Sequence, residues 1–428
     1  MRYALAVLAT VLAVGTLSAQ QKPNIVLIVS DDQGWTHYGF MGHPYIRTPH
    51  LDKLAAESLV FPRGYSVTSL CCPSLASILT GQSPHRTQIC NNDPPKRGKT
   101  SKEADSDYAE ARRRMVAKME KLPTVPRLLG EQGYVSFQTG KWWQGNFATG
   151  GFTAGMSHGD PAKGARHGDA GLDIGRKTMQ PMFDFMDTAA KDKKPFFVWY
   201  APMLPHQPHN PPAKYLNNYK DKGESEFERK YAGNVEWFDD TCGQLLDYLD
   251  KAKLADNTIV VYVTDNGWIQ DPKANKFVRS KLSPYDAGHR TPIMVRWPGK
   301  VKPAKSEALA SSLDIAPTLL AAVGIKPDAA VEGLNLLDPD ALKTRTAIFG
   351  EDYGHDAVDI DKPASSLRFR WVIEGEWKLI VPNPAIEPKA EVELYHITAD
   401  PSEKTNLAKS EKDRVEALTK ILDARWKP

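Results

Sequence analysis

Four short apolar runs in this sequence each lead into polar side chains that can do chemistry. The first run is followed by Asp31 and Asp32, and the last by Asp265 and Asn266. Carboxylate and amide oxygens are hard ligands, which suit Ca²⁺ and, less well, Mg²⁺ rather than Zn²⁺. Taken alone, each pair is better explained as a helix cap or a tight turn. Taken with the cysteine segment described below, the two pairs predict a metal site.

The two middle runs lead into basic and aromatic side chains. Lys141 and Trp143 follow the second run, and His206 and His209 follow the third. A fixed ammonium group can offset charge that develops in a transition state, and histidine is the most frequent general acid or base. The alternatives are a solvated surface lysine and a packed loop tryptophan. Between these runs the glycine-rich stretch 145–175 predicts a long loop, and such loops are often functional.

The segment that begins at Cys71 has the most specific pattern. It runs Cys-Cys-Pro-Ser-Leu-Ala-Ser-Ile-Leu-Thr-Gly, and Pro73 and Gly81 are the expected punctuation of a helix. A group at position 71 would therefore lie at a helix N-terminus, where anions are favoured. The alternative is an ordinary buried thiol. A disulfide between Cys90 and Cys242 stays open.

The apolar runs and the patterns between them indicate the fold. Four runs are apolar at nearly every position: 25–29, 134–138, 196–200 and 258–263. Such runs are typical of strands inside a mostly parallel sheet that is covered on both faces. Apolar residues at three- and four-residue spacing from Tyr231 to Leu249 predict a helix before the last run. Alternating strands and helices give an α/β fold, in which ligands bind beyond the carboxyl ends of the strands. We therefore expect all four polar clusters to form one site.

The pattern of predicted secondary structure changes after residue 337. Three short runs joined by turns, at 370–373, 377–380 and 393–396, predict an antiparallel sheet, and an amphipathic helix at 415–426 follows. We therefore expect a catalytic α/β domain at 20–337 and a smaller C-terminal α+β domain at 338–428.

The N-terminal sequence and the net charge indicate where the protein is located and which partners it lacks. Arg2, an apolar run at 4–14 and small residues up to Ala19 predict a signal peptide at 1–19, and hence a secreted or periplasmic protein. The run is too short to cross a bilayer, so we expect no integral membrane segment. The 428 residues carry a formal net charge of only +3, which argues against a nucleic-acid partner.

Together these motifs resemble a type I, formylglycine-dependent sulfatase of the alkaline phosphatase superfamily, over nearly the whole mature chain. The segments that carry the resemblance are Asp31-Asp32, the Cys71 segment, Gly140-Lys141-Trp142, Pro205-His206, Thr264-Asp265-Asn266-Gly267, and Lys281 before Tyr285-Asp286-Ala287-Gly288. Each motif is weak alone, but their order and spacing together are specific. The resemblance implies a large, mostly parallel mixed sheet flanked by helices.

The resemblance also implies a reaction. A formylglycine-generating maturation enzyme would oxidise Cys71, and one hydroxyl of the hydrated aldehyde would attack the sulfur of a sulfate ester, such as a sulfated carbohydrate. The implied calcium ligands are position 71, Asp31, Asp32, Asp265 and Asn266. Lys141 and Lys281 would hold the sulfate, and His206 would protonate the leaving oxygen.

Two positions depart from the family pattern. Leu75 stands where the family has arginine, four residues after the cysteine, and Trp143 stands where it has histidine, two residues after the lysine. An indole cannot accept a proton, so another base, His85 or His289, would have to act instead. The predicted substrate contacts are Trp143, Asp93, His209 and His289.

Two alternatives to a sulfatase stay open. A phosphodiester or phosphonate hydrolase of the same superfamily would use similar residues. A sulfatase-like, glycan-binding protein with impaired turnover would explain Leu75 and Trp143, although it would not need so many retained catalytic side chains.

Overall fold

The computed structural model of this chain describes residues 22–95, 106–160 and 164–428. The signal peptide predicted at 1–19 lies outside these residues. The strands are β1 (Asn24–Ser30), β2 (Leu59–Phe61), β3 (Gly64–Tyr65), β4 (Val135–Gly140), β5 (Ala154–Gly155), β6 (Phe196–Ala201), β7 (Thr258–Thr264), β8 (Ile293–Arg296), β9 (Ala304–Lys305), β10 (Ala310–Ser311), β11 (Ala347–Tyr353), β12 (Leu367–Glu374), β13 (Trp377–Pro382) and β14 (Glu393–His396).

Helices separate most of these strands, as the α/β pattern predicts. They are α1 (Pro49–Ala56), α2 (Cys71–Thr80), α3 (Pro84–Thr87), α4 (Ser106–Glu120), α5 (Val125–Gly130), α6 (Gln180–Lys191), α7 (Ala213–Leu216), α8 (Glu226–Lys251), α9 (Asp286–His289), α10 (Ile315–Ala322), α11 (Pro339–Lys343) and α12 (Lys412–Arg425).

The central sheet has eight strands in the order β5-β4-β6-β1-β7-β8-β2-β9. β1 pairs in parallel with β6 and β7, and β4 pairs in parallel with β5 and β6. β8 runs antiparallel to both β7 and β2. The large, mostly parallel mixed sheet is therefore confirmed. Because β4, β6, β1 and β7 are consecutive neighbours, their carboxyl ends lie side by side at one edge.

Helices bury both faces of this sheet, so successive strand residues enter two different cores. Ile25, Leu27 and Val29 of β1 pack into one apolar cluster, which includes residues of α2, α5 and α10. Val26 and Ile28 pack into the other cluster, with residues of α1, α6 and α8. This arrangement explains why the central strands are apolar at nearly every position.

The longest helix, α8, contains the apolar pattern predicted from Tyr231 to Leu249. It begins earlier because Ser225 and Glu228 form a reciprocal capping box, in which each side chain accepts a hydrogen bond from the other's backbone N–H. Across residues 22–95, 106–160 and 164–428, no helix combines the length and the apolarity needed to cross a membrane.

The C-terminal sheet is antiparallel, in the order β11-β12-β13-β14, and α12 covers one of its faces with Leu418 and Leu422. Its other face packs on Tyr65 and Leu309 of the larger part of the chain. The smaller α+β unit is therefore confirmed, although β11 was not predicted, because Gly350 and two acidic residues interrupt its apolar pattern. The boundary at 337/338 stays a prediction.

All four cysteines are free and buried. Cys90 lies beside Tyr353 and Leu367, whereas Cys242 lies in the core between the sheet and α8. The two thiols occupy different apolar clusters, so this fold does not form the Cys90–Cys242 bridge.

A buried cluster of charged side chains connects the C-terminal sheet to α9 of the larger part of the chain. Lys378 of β13 lies 2.9 Å from Asp286 and 3.0 Å from Glu403, and all three side chains are almost fully buried. Glu403 also accepts a hydrogen bond from the Asp286 backbone N–H at 2.6 Å. Burial raises the pKa of Glu403 to about 7, Lys378 lowers it, and the charge of Asp286 raises it. One ammonium group thus serves two carboxylates.

This cluster predicts a pH-dependent stability. A raised carboxyl pKa favours the folded state at low pH, and this contribution is lost as pH rises from about 4.5 towards about 7. We therefore expect the stability of wild type relative to Glu403→Gln to fall between pH 5 and pH 8, measured by urea unfolding. Glu416→Gln, at an exposed pair in α12, is the control and should show no such trend. Parallel pH profiles for wild type and Glu403→Gln would contradict the prediction.

Candidate active site

The carboxyl ends of the central strands bring the predicted polar residues together. The Asp265 N–H donates to the Ser30 carbonyl at 2.9 Å, so the segments that follow β1 and β7 stay in contact. The Lys141 N–H donates to the Ala201 carbonyl at 2.6 Å, so the segment after β4 stays beside the end of β6. The sheet therefore positions side chains from segments more than 200 residues apart.

Asp32 is the most highly connected carboxylate of the site. Lys281 Nζ lies 2.7 Å from both of its oxygens, and Asn266 Nδ2 donates to Oδ1 at 2.7 Å. His206 Nε2 lies 3.4 Å from Oδ2. Burial would raise the pKa of Asp32, but Lys281, His206 and Lys141 together outweigh it and hold this pKa below the usual range. Asp32 is therefore ionised.

A second ion pair lies beside the first and shares its thiol partner. Lys141 Nζ lies 2.5 Å from Asp31 Oδ1 and 3.1 Å from Cys71 Sγ. Lys281 Nζ lies at the same 3.1 Å from Cys71 Sγ. Burial alone would lower the pKa of Lys141, but the charge of Asp31 raises it well above its ordinary value. Two ammonium groups therefore point at one sulfur atom.

Cys71 is the first residue of α2, as the punctuation of its segment predicts. Burial raises the pKa of its thiol to about 12, although Lys141 and Lys281 act in the opposite direction. The unmodified side chain is therefore a neutral thiol near pH 7, and a neutral thiol is a poor nucleophile.

Two hydrogen bonds fix the start of α2 against its neighbours. Ser74 Oγ donates to the Asp265 carbonyl at 2.6 Å, which joins the helix to the segment after β7. The Cys72 N–H donates to Asn92 Oδ1 at 2.9 Å. Position 71 is thus held from both sides.

The oxygens of this cluster fit a divalent cation. Three buried oxygens of this cluster have no hydrogen-bond partner among the described residues: Asp31 Oδ2, Asp265 Oδ2 and Asn266 Oδ1. Ligand atoms of Asp31, Asp32, Cys71 and His206 also lie within 4.8 Å of one another. Buried oxygens without partners are costly, and a hard cation would satisfy them. The four predicted oxygen-bearing ligands are therefore brought together.

Charge balance gives a second reason to expect a cation. Asp31, Asp32 and Asp265 carry three carboxylates against the two ammonium groups of Lys141 and Lys281. Burial raises the pKa of Asp31 and of Asp265, so their carboxylate charges are costly in this interior. A bound divalent cation would favour the ionised form of these carboxyl groups and would supply positive charge for an anionic substrate group.

Leu75 and Trp143, the two departures from the family pattern, both lie in the same apolar cluster and are almost fully buried. Three cations surround the Trp143 ring: Arg166 at 4.7 Å, Arg112 at 5.4 Å and Lys141 at 5.9 Å from its centroid. The Trp143 ring is therefore packed among cationic side chains, as the alternative of a packed loop tryptophan expects, and Trp143 as a substrate contact stays a prediction.

Asp93 is fully buried and pairs with Arg166 through both carboxylate oxygens. Tyr108 donates to its Oδ1 at 2.6 Å. A carboxylate with these partners holds protein groups in place, and Asp93 as a substrate contact stays a prediction.

His209 lies next to the site, between aromatic rings. Its ring meets those of Tyr231 and Trp268 edge to face, at 5.3 and 5.6 Å. Among the described residues, neither ring nitrogen of His209 has a hydrogen-bond partner. Burial lowers its pKa to about 4, so the ring is neutral. The prediction of His209 as a substrate contact stays open.

His289 and His85 are not brought to this cluster. His289 is fully buried, with Nδ1 3.0 Å from the Ser66 carbonyl and Nε2 3.0 Å from Asp352. His85 stacks on Trp426, with ring centroids 4.4 Å apart, and pairs with Glu351. These contacts engage both rings in the interface with the C-terminal sheet, and the roles of His85 or His289 as a base and of His289 as a substrate contact stay predictions.

Two arginines lie at the site although no sequence motif marks them as site residues. Arg112 of α4 donates to the Asn92 carbonyl at 2.5 Å and also to the Trp143 carbonyl. Arg166 comes from the stretch predicted as a long functional loop, but nothing in that stretch marks it out. The position of Arg166 is known from the structure alone, through its pairing with Asp93 and its contact with the Trp143 ring.

Comparisons with known proteins agree with this geometry. A family model described as Sulfatase matches residues 23–325, and one described as N-sulphoglucosamine sulphohydrolase, C-terminal, matches residues 279–427. The N-acetylgalactosamine-6-sulfatase of Homo sapiens is 31% identical over 375 residues, which cover 77% of this chain and 68% of that protein.

Two bacterial proteins extend the likeness along the chain. The N-acetylgalactosamine-6-O-sulfatase of Bacteroides thetaiotaomicron is 25% identical over 513 residues, covering 94% of this chain and 93% of that protein. A crystal structure of a sulfatase from Pseudoalteromonas sp. has a TM-score of 0.70 at 20% identity, covering 96% of this chain and 91% of that one. The latter likeness shows a shared fold.

The unpartnered oxygens predict that a divalent cation stabilises the folded chain. A ligand that binds only the native state adds about 2.7 kcal/mol at a hundred times its Kd. We expect Ca²⁺ to raise the melting temperature of EDTA-treated protein, and Asp265→Asn to remove most of that rise. The asparagine keeps the Oδ1 acceptor used by the Asp32 and Asn266 backbone N–H groups, and it replaces Oδ2, the unpartnered oxygen, with a neutral NH2 group. Asp192→Asn, at an exposed position, is the control. An equal rise in both variants would contradict the prediction.

Proposed function

This chain belongs to the sulfatase family of sulfuric ester hydrolases, and we propose that it cleaves a sulfate ester of a sulfated carbohydrate with a formylglycine nucleophile at position 71 and a calcium ion. The observation that carries this proposal is the contact of Cys71 Sγ with two buried ammonium groups, each 3.1 Å away, that also pair with Asp31 and Asp32. A side chain placed there is surrounded by groups suited to an anionic substrate.

Conversion of Cys71 to formylglycine would be a two-electron oxidation. The maturation enzyme would transfer two electrons and two protons from the Cβ–Sγ unit to a two-electron oxidant, such as molecular oxygen, to give a thioaldehyde. Water would then replace sulfur, which leaves as hydrogen sulfide, and the aldehyde remains. Burial of the thiol and its high pKa support this proposal, because the unmodified cysteine has little nucleophilic character at neutral pH.

Each group would supply one part of the chemistry. Hydrated formylglycine offers a hydroxyl that displaces the alcohol at sulfur, and a second hydroxyl whose collapse to the aldehyde releases sulfate. Calcium held by Asp31, Asp32, Asp265, Asn266 and position 71 would act as a Lewis acid towards a sulfate oxygen. Lys141 and Lys281, already directed at position 71, would bind the remaining sulfate oxygens and offset their charge.

His206 is the proposed proton donor to the leaving oxygen. Its Nδ1 lies 2.6 Å from the Gln207 carbonyl, which fixes a proton there and leaves Nε2 directed towards Asp32. Burial and the charge of Lys141 hold its pKa well below the ordinary value. A bound anionic ester adds negative charge beside the ring and so favours its protonation.

The carbohydrate part of the proposal comes from the relatives. Two relatives, 31% and 25% identical to this chain, are named N-acetylgalactosamine-6-sulfatase and N-acetylgalactosamine-6-O-sulfatase. From these relatives we infer only the substrate class, a sulfated amino sugar or related glycan. We do not infer which ring position carries the sulfate. A secreted or periplasmic location would bring the enzyme to such polysaccharides.

The central test joins mass spectrometry to sulfate release. In protein made with its maturation enzyme, the peptide that carries position 71 should show the mass decrease from replacing CH2SH with CHO. Cys71→Ala should lower sulfate release from an aryl sulfate by at least about a thousandfold, because the nucleophile is lost. Cys72→Ala is the matched control and should remain modified at position 71 and active.

Other outcomes identify the rival functions. Sulfate release by wild type that retains an unmodified Cys71 would exclude the formylglycine mechanism. Faster cleavage of an aryl phosphodiester than of the aryl sulfate would favour the phosphodiesterase alternative. Binding of a sulfated glycan without release of sulfate by fully modified protein would favour the binding protein.

A further inference from the structure

A second imidazole lies beside the reacting centre. The ring centroid of His167 is 6.5 Å from that of His206 and 4.6 Å from that of Trp143. Both histidines are half-buried, whereas Lys141, Lys281 and Asp32 are buried. The two rings therefore lie between the charged interior of the site and solvent.

The loop that carries His167 is packed directly on the segment of Lys141. The Trp142 N–H donates to the His167 carbonyl at 2.7 Å. Gly168 has φ +128°, and a Cβ there would lie 2.6 Å from the Gly140 carbonyl oxygen. Ser157 Oγ also donates to the Gly168 carbonyl at 2.8 Å. A larger residue does not fit at position 168, so this backbone is held close to the site.

A guanidinium group fixes the tautomer of His167. Arg166 Nη1 lies 2.5 Å from His167 Nε2, and a guanidinium can only donate. Nε2 is therefore the acceptor, and the ring proton lies on Nδ1. Asp93 holds Arg166 in turn, with Nε donating to Oδ1 at 2.8 Å and Nη2 donating to Oδ2. The ring is thus oriented by a chain of two charged groups.

His167 also stays neutral. Burial lowers its pKa to about 2, and the positive charges of Arg166 and Lys141 act in the same direction. A neutral imidazole with a fixed Nδ1–H is a constant hydrogen-bond donor rather than a group that titrates near pH 7.

We propose that His167 is a substrate-contact residue, which donates from Nδ1 to an oxygen of the sulfated substrate between it and His206. Asp93 and Arg166 are its positioning residues. The 6.5 Å separation of the ring centroids leaves room for one oxygen atom within about 2.8 Å of a nitrogen of each ring. This inference rests on the proposed function, because it names a further residue of the same site.

The kinetic test compares two replacements of His167. His167→Ala removes the donor and should lower kcat/KM on an aryl sulfate by about ten- to a hundredfold. His167→Asn places an amide N–H near the position of Nδ1 and should recover much of that loss. His158→Ala, at an exposed histidine of the same loop, is the control and should match wild type. Alanine and wild type within twofold of each other would overturn the proposal.

A spectroscopic test separates this proposal from the proposed function. In full-length protein with ¹⁵N-labelled histidine, the resonances absent from His167→Asn belong to His167. They should show the Nδ1–H tautomer without titration between pH 5 and pH 8, and Arg166→Ala should abolish that fixed tautomer. A role in packing alone would leave the resonances unmoved when aryl sulfate is added.

If wild type binds aryl sulfate without releasing sulfate, the proposed function fails, but a shift of the His167 resonances on binding would still support the contact. Resonances that do not move at saturating aryl sulfate, or an Nε2–H tautomer in wild type, would overturn the contact even if sulfate is released.

Discussion

The charge balance around Cys71 is the constraint on which the rest of this site depends. Two ammonium groups and three carboxylates lie in an interior where an unpaired charge costs several kcal/mol. Each lysine therefore pairs with a carboxylate and also contacts the sulfur. Three buried oxygens remain without partners among the described residues, so the same cluster that binds the lysines has capacity for a cation. A cation there would favour the ionised carboxylates and offset their charge when an anionic group binds.

The architecture makes such a cluster possible by placing it at the edge of a rigid sheet. β1 and β7 pair over seven residues, so Asp31 and Asp265 leave the sheet side by side. Apolar layers cover both faces of these strands and leave the carboxyl ends free for polar groups. Ser74 then joins the helix of Cys71 to the segment of Asp265. Apolar packing thus positions the charged groups, because their mutual attraction alone does not offset the cost of burying them.

The two departures from the family pattern have a common structural setting. Leu75 lies in the apolar cluster that also contains Trp143, so no charge lies at that position of α2. Arg112, from α4, and Arg166, from the glycine-rich loop, instead lie against the Trp143 ring. The cationic character around the site is therefore supplied by other segments, and His167 arrives with Arg166 on the same loop.

The sequence by itself determined the strands, the helix of Cys71 and the meeting of the four polar clusters. Periodicity and helix punctuation are local properties, and parallel strands place their carboxyl ends at one edge. Only the tertiary structure decided that Asp93 holds Arg166, 73 residues away, and that His289 is enclosed by Ser66 and Asp352. Such contacts depend on how distant segments pack, and neither partner carries a local pattern that marks the other. For that reason the meeting of the candidate metal ligands was predictable, whereas the residues around them were not.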